Sequence, residues 1–320
     1  MLKIKSEIRK AYFLNKFVII TPGRAKRPRD MMEQTIEKSQ TNCVFCPGNL
    51  ENNLIIKTYG KTGKDWKIAV LKNKFPSVSL NNKKAYGIQE VIIETPDHNQ
   101  AFTDLSLSHL ELYLQVLSDR LKEISKNKRI EYILQFKNRG SKAGASIKHE
   151  HSQIFATEIL PPDIFEELKL AENYKIEHQT CPYCDILKKE LKSKRKIWED
   201  DYVGAFTPYA PEYHYEAWIA PKRHTDNIST LTKKEIKSLA RCLNFILSKV
   251  EQLGLAYNFF MHQVVSHTNQ HFYIKVQPRD INVWAGVELG SGLVINSVSP
   301  EEAAKQYRKN KNSFSEFLKV

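Results

Sequence analysis

Cys-x-x-Cys occurs twice in this chain, and the same succession of features follows each occurrence. After Cys43/Cys46 comes a strand-like run, YGIQEVIIETPDH, that ends at His98. An amphipathic helix is expected next, because Leu107, Leu110, Leu114, Leu117, Leu121 and Ile124 recur at three- and four-residue steps. Ser108 with Glu111 reads as a capping box for it, with Ser106 as a competing cap. A β-rich run, RIEYILQFKN, a glycine-containing loop and His149-Glu150-His151-Ser152-Gln153 complete the unit. The second unit starts at Cys181/Cys184, and its strand-like run YEAWIAPKRH ends at His224. Thr232 and Glu235 form the capping box of its helix, whose stripe of Ile236, Leu239, Leu243, Ile246, Val250 and Leu253 is stopped by Gly254. YNFFMHQVV then leads to His271-Phe272-Tyr273-Ile274-Lys275. The units are offset by 138 residues at the first cysteine, 126 at the strand-ending histidine and 122 at the last histidine. A shrinking offset in a constant order is what two copies with unequal loops produce. The chain is therefore expected to be α+β, two tandem repeats over 1–165 and 166–320.

Each copy offers two thiols and two imidazoles: Cys43, Cys46, His98 and His149, then Cys181, Cys184, His224 and His271. Zinc favours four-coordinate sites of this kind, and Cys-x-x-Cys lets two thiolates share an ion from one tight turn. Two thiolates and two imidazoles leave zinc no open position, so both sites are expected to be structural. One alternative puts all four paired cysteines on a single zinc. A redox role is the other, and it is set aside because neither pair is expected to open a helix in a thioredoxin-like βαβ unit. Cys242, inside a helical pattern, reads as a small buried hydrophobe. His109, His178, His214 and His267 read as ordinary polar residues.

No apolar run is long enough to span a bilayer, and the start, MLKIKSEIRKAYFLNKF, has neither the apolar core nor the cleavage site of a signal peptide. A cytoplasmic protein without a membrane partner is expected. The formal charge of +13 fits an anionic partner such as a phosphate, a sugar nucleotide or a nucleic acid. The lysines are scattered, however. The cluster Lys188, Lys189, Lys192, Lys194, Arg195 and Lys196, and that from Lys305 to Lys311, read as solvated faces rather than a nucleic-acid patch.

The chemistry is expected in FKNRGSKAGASIKHEHSQIF. Side chains alternate along an extended segment, so His149 and His151 share a face; His149 can hold the metal while His151 presents a nitrogen to the site. Gly140, Gly144, Ala145 and Ser146 make a small-residue loop whose backbone N–H groups can approach a phosphate. A neutral imidazole is a competent nucleophile toward phosphorus when one nitrogen is free and the other is held.

His-x-His-x-Gln after Gly-x-x-x-Gly-Ala-Ser resembles the active-site signature of the galactose-1-phosphate uridylyltransferases, the nucleotidyltransferase branch of the histidine-triad superfamily. The similarity spans nearly the whole chain, through GRAKRP, CVFCPGN, KNKFPS, TPDH and AGVELGSGLVINSVSPEEAA. It implies that each repeat is histidine-triad-like, an antiparallel sheet with a packed amphipathic helix. By the same resemblance Arg24 and Arg27 help bind the nucleotide, and Asn73 and Phe75 line the base and ribose pocket. Asn138, Gly144, Ala145, Ser146 and Gln153 surround the α-phosphate, with Ser146 and Gln153 joining His151 in the catalytic set. Glu288 contacts the sugar from the neighbouring subunit of a homodimer, and Asn296 takes the role of a glutamine that some relatives use. Some relatives share the second set of two cysteines and two histidines; others arrange a different metal there.

Histidine-triad hydrolases usually carry a third histidine where this chain has Gln153. A glutamine can hydrogen-bond phosphoryl oxygens but cannot exchange protons, which suits a sugar phosphate that departs as a stable anion. In the second copy Tyr273 matches His151 and Lys275 matches Gln153, so one catalytic centre per chain is expected. The expected function is ping-pong exchange of UMP between a UDP-hexose and hexose 1-phosphate through a nucleotidyl-histidine. Two alternatives stand beside it: a nucleotide-sugar or dinucleotide phosphorylase that passes an adenylyl group to phosphate from the same site, and a zinc-stabilised nucleotide- or nucleic-acid-binding protein without turnover.

Overall fold

The computed structural model describes residues 6–21, 43–60, 65–264, 270–280 and 284–309. Arg24, Arg27, His267 and the GRAKRP segment lie outside them. Ten strands form one sheet, and its order carries the duplication. The first copy contributes β3 (Ile55–Gly60), β4 (Trp66–Lys72), β5 (Gly87–Ile93), β6 (Tyr132–Arg139) and β7 (His151–Thr157). The second contributes β8 (Lys196–Glu199), β9 (Val203–Phe206), β10 (Ala217–Pro221), β11 (Ala256–His262) and β12 (Tyr273–Arg279). The order is β3-β4-β5-β7-β6-β11-β12-β10-β9-β8, so each half reads first, second, third, fifth, fourth strand, and the two fourth strands meet in the middle. All pairings within this sheet are antiparallel. The expected α+β class is what the chain adopts.

Helices α1 (Leu107–Ile124) and α4 (Lys233–Gln252) lie side by side. Their stripes, among them Leu114, Leu117, Leu121, Leu239, Leu243 and Ile246, pack with inward strand residues such as Ile133, Ile154, Phe259 and Ile274 into one core shared by both copies. The capping box of α4 forms as expected from Thr232 and Glu235. That of α1 does not. Ser106 is the N-cap, its Oγ accepting from His109 N–H at 3.3 Å, which puts Glu111 outside the N3 position that a capping box requires. Gly254 sits at φ +69°, a left-handed turn that ends α4 without the penalty a Cβ would bring.

Several elements carried too weak a pattern to be read from sequence. Helix α2 (Pro162–His178) buries only Ala171, so its apolar periodicity is faint, and the expected repeat boundary at 165/166 falls inside it. Helix α3 (Pro182–Leu191) follows. The strands β1 (Glu7–Lys10), β2 (Phe17–Ile20) and β13 (Val294–Asn296) form a separate sheet in which β13 runs parallel to β2, joining the two ends of the chain. Helices α5 (Gly286–Ser291) and α6 (Pro300–Arg308) flank β13.

Candidate active site and metal centres

Two groups of ligand atoms converge, Cys43, Cys46, His98 and His149 in one and Cys181, Cys184, His224 and His271 in the other. In the first, the His149 Nδ1 lies 3.6 Å from Cys43 Sγ and 3.8 Å from Cys46 Sγ, and His98 Nδ1 lies 3.7 Å from Cys46 Sγ. In the second, Cys184 Sγ lies 3.5 Å from His224 Nδ1 and 3.3 Å from His271 Nδ1. Tetrahedral zinc with bonds of about 2.0–2.3 Å has ligand–ligand edges of about 3.3–3.8 Å, so both sets fit one ion each. Two separate clusters remove the alternative of one zinc shared by four thiolates.

The imidazoles are oriented alike in both copies. His149 Nε2–H donates to Thr95 O at 2.8 Å, and His271 Nε2–H donates to Pro221 O at 2.8 Å. A carbonyl can only accept, so each Nδ1 keeps its lone pair for the metal, the outer-sphere arrangement usual for ligating histidines. Cys181 is the N-cap of α3, so the second pair does open a helix. The element before it is helix α2 rather than a strand, and two imidazoles close on the thiols, so the metal reading stands. Cys43 and His149 are buried, whereas His224 is exposed, which makes the second cluster the more open of the two.

His151 begins β7, two residues after His149 of the first cluster. Its Nδ1–H donates to His149 O at 2.8 Å, which leaves the Nε2 lone pair available. Burial pushes its pKa down to about 4, with nearby Lys137 acting in the same direction, so the ring is neutral near pH 7. The Phe45 ring stands 5.0 Å from it. The strand alternation then defines a face: Leu134, Phe136 and Asn138 of β6, with Gln153 and Phe155 of β7, are half-buried, while the residues between them turn to the core. Gln153 pairs with Phe136 on one side and Val91 on the other. Further along, Asn73 N–H donates to Gln89 O, and Gln89 pairs with Phe155; Phe75 beside it is 85% exposed. His151, Gln153, Asn138 and the Asn73–Phe75 turn thus border the same side of the sheet.

Beneath His151 lies a buried ionic cluster that motif reading missed. Lys137 Nζ is fully buried, 2.6 Å from Glu94 Oε2 and 3.3 Å from His151 O, and it also pairs with Glu150. Burial works to discharge this lysine, but the two carboxylates outweigh it and hold it protonated. Ser152 Oγ bonds Glu94 and lies 2.8 Å from Tyr113 OH. The signal was available: the parity that turns Ile133 inward also turns Lys137 inward, and a lysine there demands acidic partners. Together these contacts fix the backbone that carries the histidine.

The Gly140–Ser146 loop differs in detail from expectation. Gly140 has φ +84°, and a Cβ there would meet Ala256 Cβ at 2.9 Å, so only glycine lets β6 turn so close to β11. The N–H groups of Ala143, Gly144 and Ala145 are spent on Gly140 O, Ser141 O and Gly140 O. The amides of Gly144 and Ala145, expected near the phosphate, are thus bonded within the loop itself. Asn296 is likewise committed elsewhere. It is buried, its amide donates to Pro211 O at 2.9 Å and its Oδ1 accepts from Val298 N–H at 2.9 Å. Glu288 caps α5, accepting from Ala285 and Ile295 N–H, and α5 packs on β13 in the smaller sheet rather than beside β7.

The corresponding space in the second copy is filled. Tyr273, at the His151 position, stacks between Trp218 at 4.5 Å and His262 at 4.4 Å. Tyr12 packs on Trp218 and Phe13 on Tyr183, which covers Tyr273 in turn. Lys275, at the Gln153 position, pairs with Glu216 at 3.5 Å. Tyr273→Phe is accordingly expected to leave turnover within about twofold of the parent, since it removes one hydroxyl and keeps the buried, stacked ring, away from His151. A steady-state assay at matched metal content checks this; a loss of several orders of magnitude would show that the silent copy had been misassigned.

Residues 2–161 match the family model described as "Galactose-1-phosphate uridyl transferase, N-terminal domain". The chain is 30% identical to galactose-1-phosphate uridylyltransferase of Thermotoga maritima, with 94% of this chain and 98% of that protein covered. It is also 30% identical to ADP-glucose phosphorylase of Arabidopsis thaliana, with 94% and 92% covered. Among solved structures, that of an Arabidopsis thaliana ADP-glucose phosphorylase with bound ADP-glucose superposes with a TM-score of 0.84 at 29% identity, covering 96% of this chain and 99% of the other. A uridylyltransferase structure superposes at 0.75 and 26% identity, covering 98% and 100%.

Proposed function

The chain belongs to the galactose-1-phosphate uridylyltransferase family, and from that membership we propose that it exchanges UMP between a UDP-hexose and hexose 1-phosphate through a nucleotidyl-His151 intermediate. His151 Nε2 attacks the α-phosphorus; the N–P bond forms as the P–O bond to hexose 1-phosphate breaks, and the sugar phosphate leaves as an anion that needs no general acid. A second hexose 1-phosphate then attacks through its phosphate oxygen and the N–P bond breaks, restoring the neutral imidazole. The single observation that carries this reading is the posture of His151: neutral, held at Nδ1 by its own strand's carbonyl, with Nε2 left as the nucleophile.

Around it, Asn138, Ser146 and Gln153 are assigned to the α-phosphate, with Gly144 and Ala145 shaping the loop; Asn73 and Phe75 are assigned to the base and ribose, and Arg24 and Arg27 to the nucleotide. The catalytic centre belongs to the repeat 1–165, and the repeat 166–320 is silent. We assign zinc to both clusters, where two thiolates and two imidazoles close the coordination sphere and the ion holds the turn that carries His149. Glu288 is assigned to the sugar in a partner subunit's site. Trp284, Val287, Leu289 and Leu293, large apolar residues exposed on and around α5, support a homodimer that covers this face. Among the described residues no helix is long and apolar enough to cross a membrane; a cytoplasmic setting is part of the proposal.

A second reading, adenylyl transfer to inorganic phosphate from the same site, is favoured by the likeness to the ADP-glucose phosphorylase. Intact-mass spectrometry after exposure to UDP-glucose and, separately, ADP-glucose decides between them. A uridylyl adduct from UDP-glucose that hexose 1-phosphate discharges is the expected result. An adenylyl adduct alone, discharged by phosphate, establishes the second reading, and no adduct from either sinks both.

A further inference from the structure

The seam between β6 and β11 places Asn258 of the second copy directly opposite Asn138 of the first. Asn258 Nδ2 donates to Ala143 O at 2.8 Å and to Asn138 Oδ1 at 2.8 Å. A backbone carbonyl can only accept, so the amide atom of Asn258 at this fork is the nitrogen, and the Asn138 atom facing it is the oxygen. Asn138 Nδ2 is thereby turned toward the loop, 3.9 Å from where a Cβ on Gly144 would stand. The same fork pins Ala143, in the middle of the 140–146 loop. The counterpart in the second copy lacks this device. The position related to Asn138 is His262, the register carried two residues past the Phe136–Phe260 pair puts Leu134 opposite it, and neither ring nitrogen of His262 has a hydrogen-bond partner among the described residues.

We propose that Asn258 is a positioning residue of the His151 centre, fixing which end of the Asn138 amide faces the α-phosphate and holding the loop beside it. The proposal rests on the reading of Asn138 as a phosphate contact. Single-turnover uridylylation by UDP-glucose, or adenylylation by ADP-glucose if that is the substrate, tests it. Asn258→Ala is expected to slow adduct formation by about 10- to 100-fold, with substrate affinity and metal content little changed. Asn258→Asp is expected to be slower still, because its carboxylate repels Ala143 O and draws the Asn138 amide round to donate to it. The double variant Asn138→Ala/Asn258→Ala is expected to lose clearly less than the product of the two single losses, since part of the effect of Asn258 passes through Asn138. An Asn258→Ala rate within threefold of the parent, multiplicative losses in the double variant, or a lowered melting temperature with an unchanged rate each overturns the proposal. If the parent protein itself takes no nucleotide from either sugar nucleotide, the functional reading fails and this proposal falls with it.

Discussion

His151→Gly is expected to abolish sugar exchange, by at least about 10⁴-fold, while the protein keeps its fold and its metal. In the proposed mechanism the imidazole bonds to phosphorus, and neither of its strand neighbours replaces it: Gln153 is not a nucleophile, and the Ser152 hydroxyl is held by Glu94 and Tyr113 on the inward side of the strand. The ring's Nδ1 contact is to the carbonyl of His149, not to its side chain, so removing it leaves the His149 Nε2–Thr95 bond and the thiols intact. Glycine also opens a cavity in front of the half-buried Gln153. A nucleoside 5′-phosphoimidazolide fits that cavity as a preformed substitute for the intermediate, and the variant is expected to pass its nucleotide to hexose 1-phosphate. His149→Gly is not expected to behave this way, because it removes a metal ligand from the turn that leads into β7. The measurement is isotope exchange between UDP-glucose and labelled glucose 1-phosphate. Exchange at near-parental rates in His151→Gly would falsify the histidine intermediate.

The second large effect concerns the metals. Purified protein is expected to carry about two zinc ions per chain, one per cluster. Cys43→Ser and Cys181→Ser are each expected to lower this to about one, but their consequences for exchange should differ. The first cluster sits directly before the proposed nucleophile, Cys43 is buried, and His149 is both a proposed ligand and the carbonyl partner of His151. Losing that ion is expected to cost about 10- to 100-fold in exchange or more, the scale typical of disturbing a metal's supporting shell. The second cluster borders the filled site around Tyr273 and includes the exposed His224, so Cys181→Ser is expected to lower stability far more than the rate per folded molecule. Metal analysis alongside kinetics at matched folded fraction checks this. Loss of both ions from either single variant, or equal rate losses from the two, would contradict independent clusters with separate duties.

Much of the site was legible because its signals are local. The two Cys-x-x-Cys turns, the stripes of α1 and α4 and the His149/His151 alternation follow from short-range periodicity and spacing, whereas the histidines that close the clusters, up to 106 residues from their cysteines, were legible only because the same order occurs twice. Ser106, rather than Ser108, caps α1 because the chain enters extended at Ser106 and its hydroxyl meets the His109 N–H, a choice of one residue that patterns leave open. The amphipathic signal failed for α2, whose faces are nearly all exposed, and for the short strands of the small sheet, which alternate over too few residues to be read.

Sequence alone determined that this chain is two copies of one unit, that each copy gathers two thiols and two imidazoles, and that His151 stands in the first copy where Tyr273 stands in the second. Tertiary structure alone decided how the copies join and what each lends the other. The β6–β11 seam brings Asn258 onto Asn138 across 120 residues of chain, and the β1–β2 turn sends Tyr12 and Phe13 to cover the second copy's site. The reason is physical: a repeat fixes its own strand order through neighbours in sequence, but a register between two strands far apart in the chain is set by which side chains the shared core can bury, and one step of slip would turn Asn258 away from the site altogether.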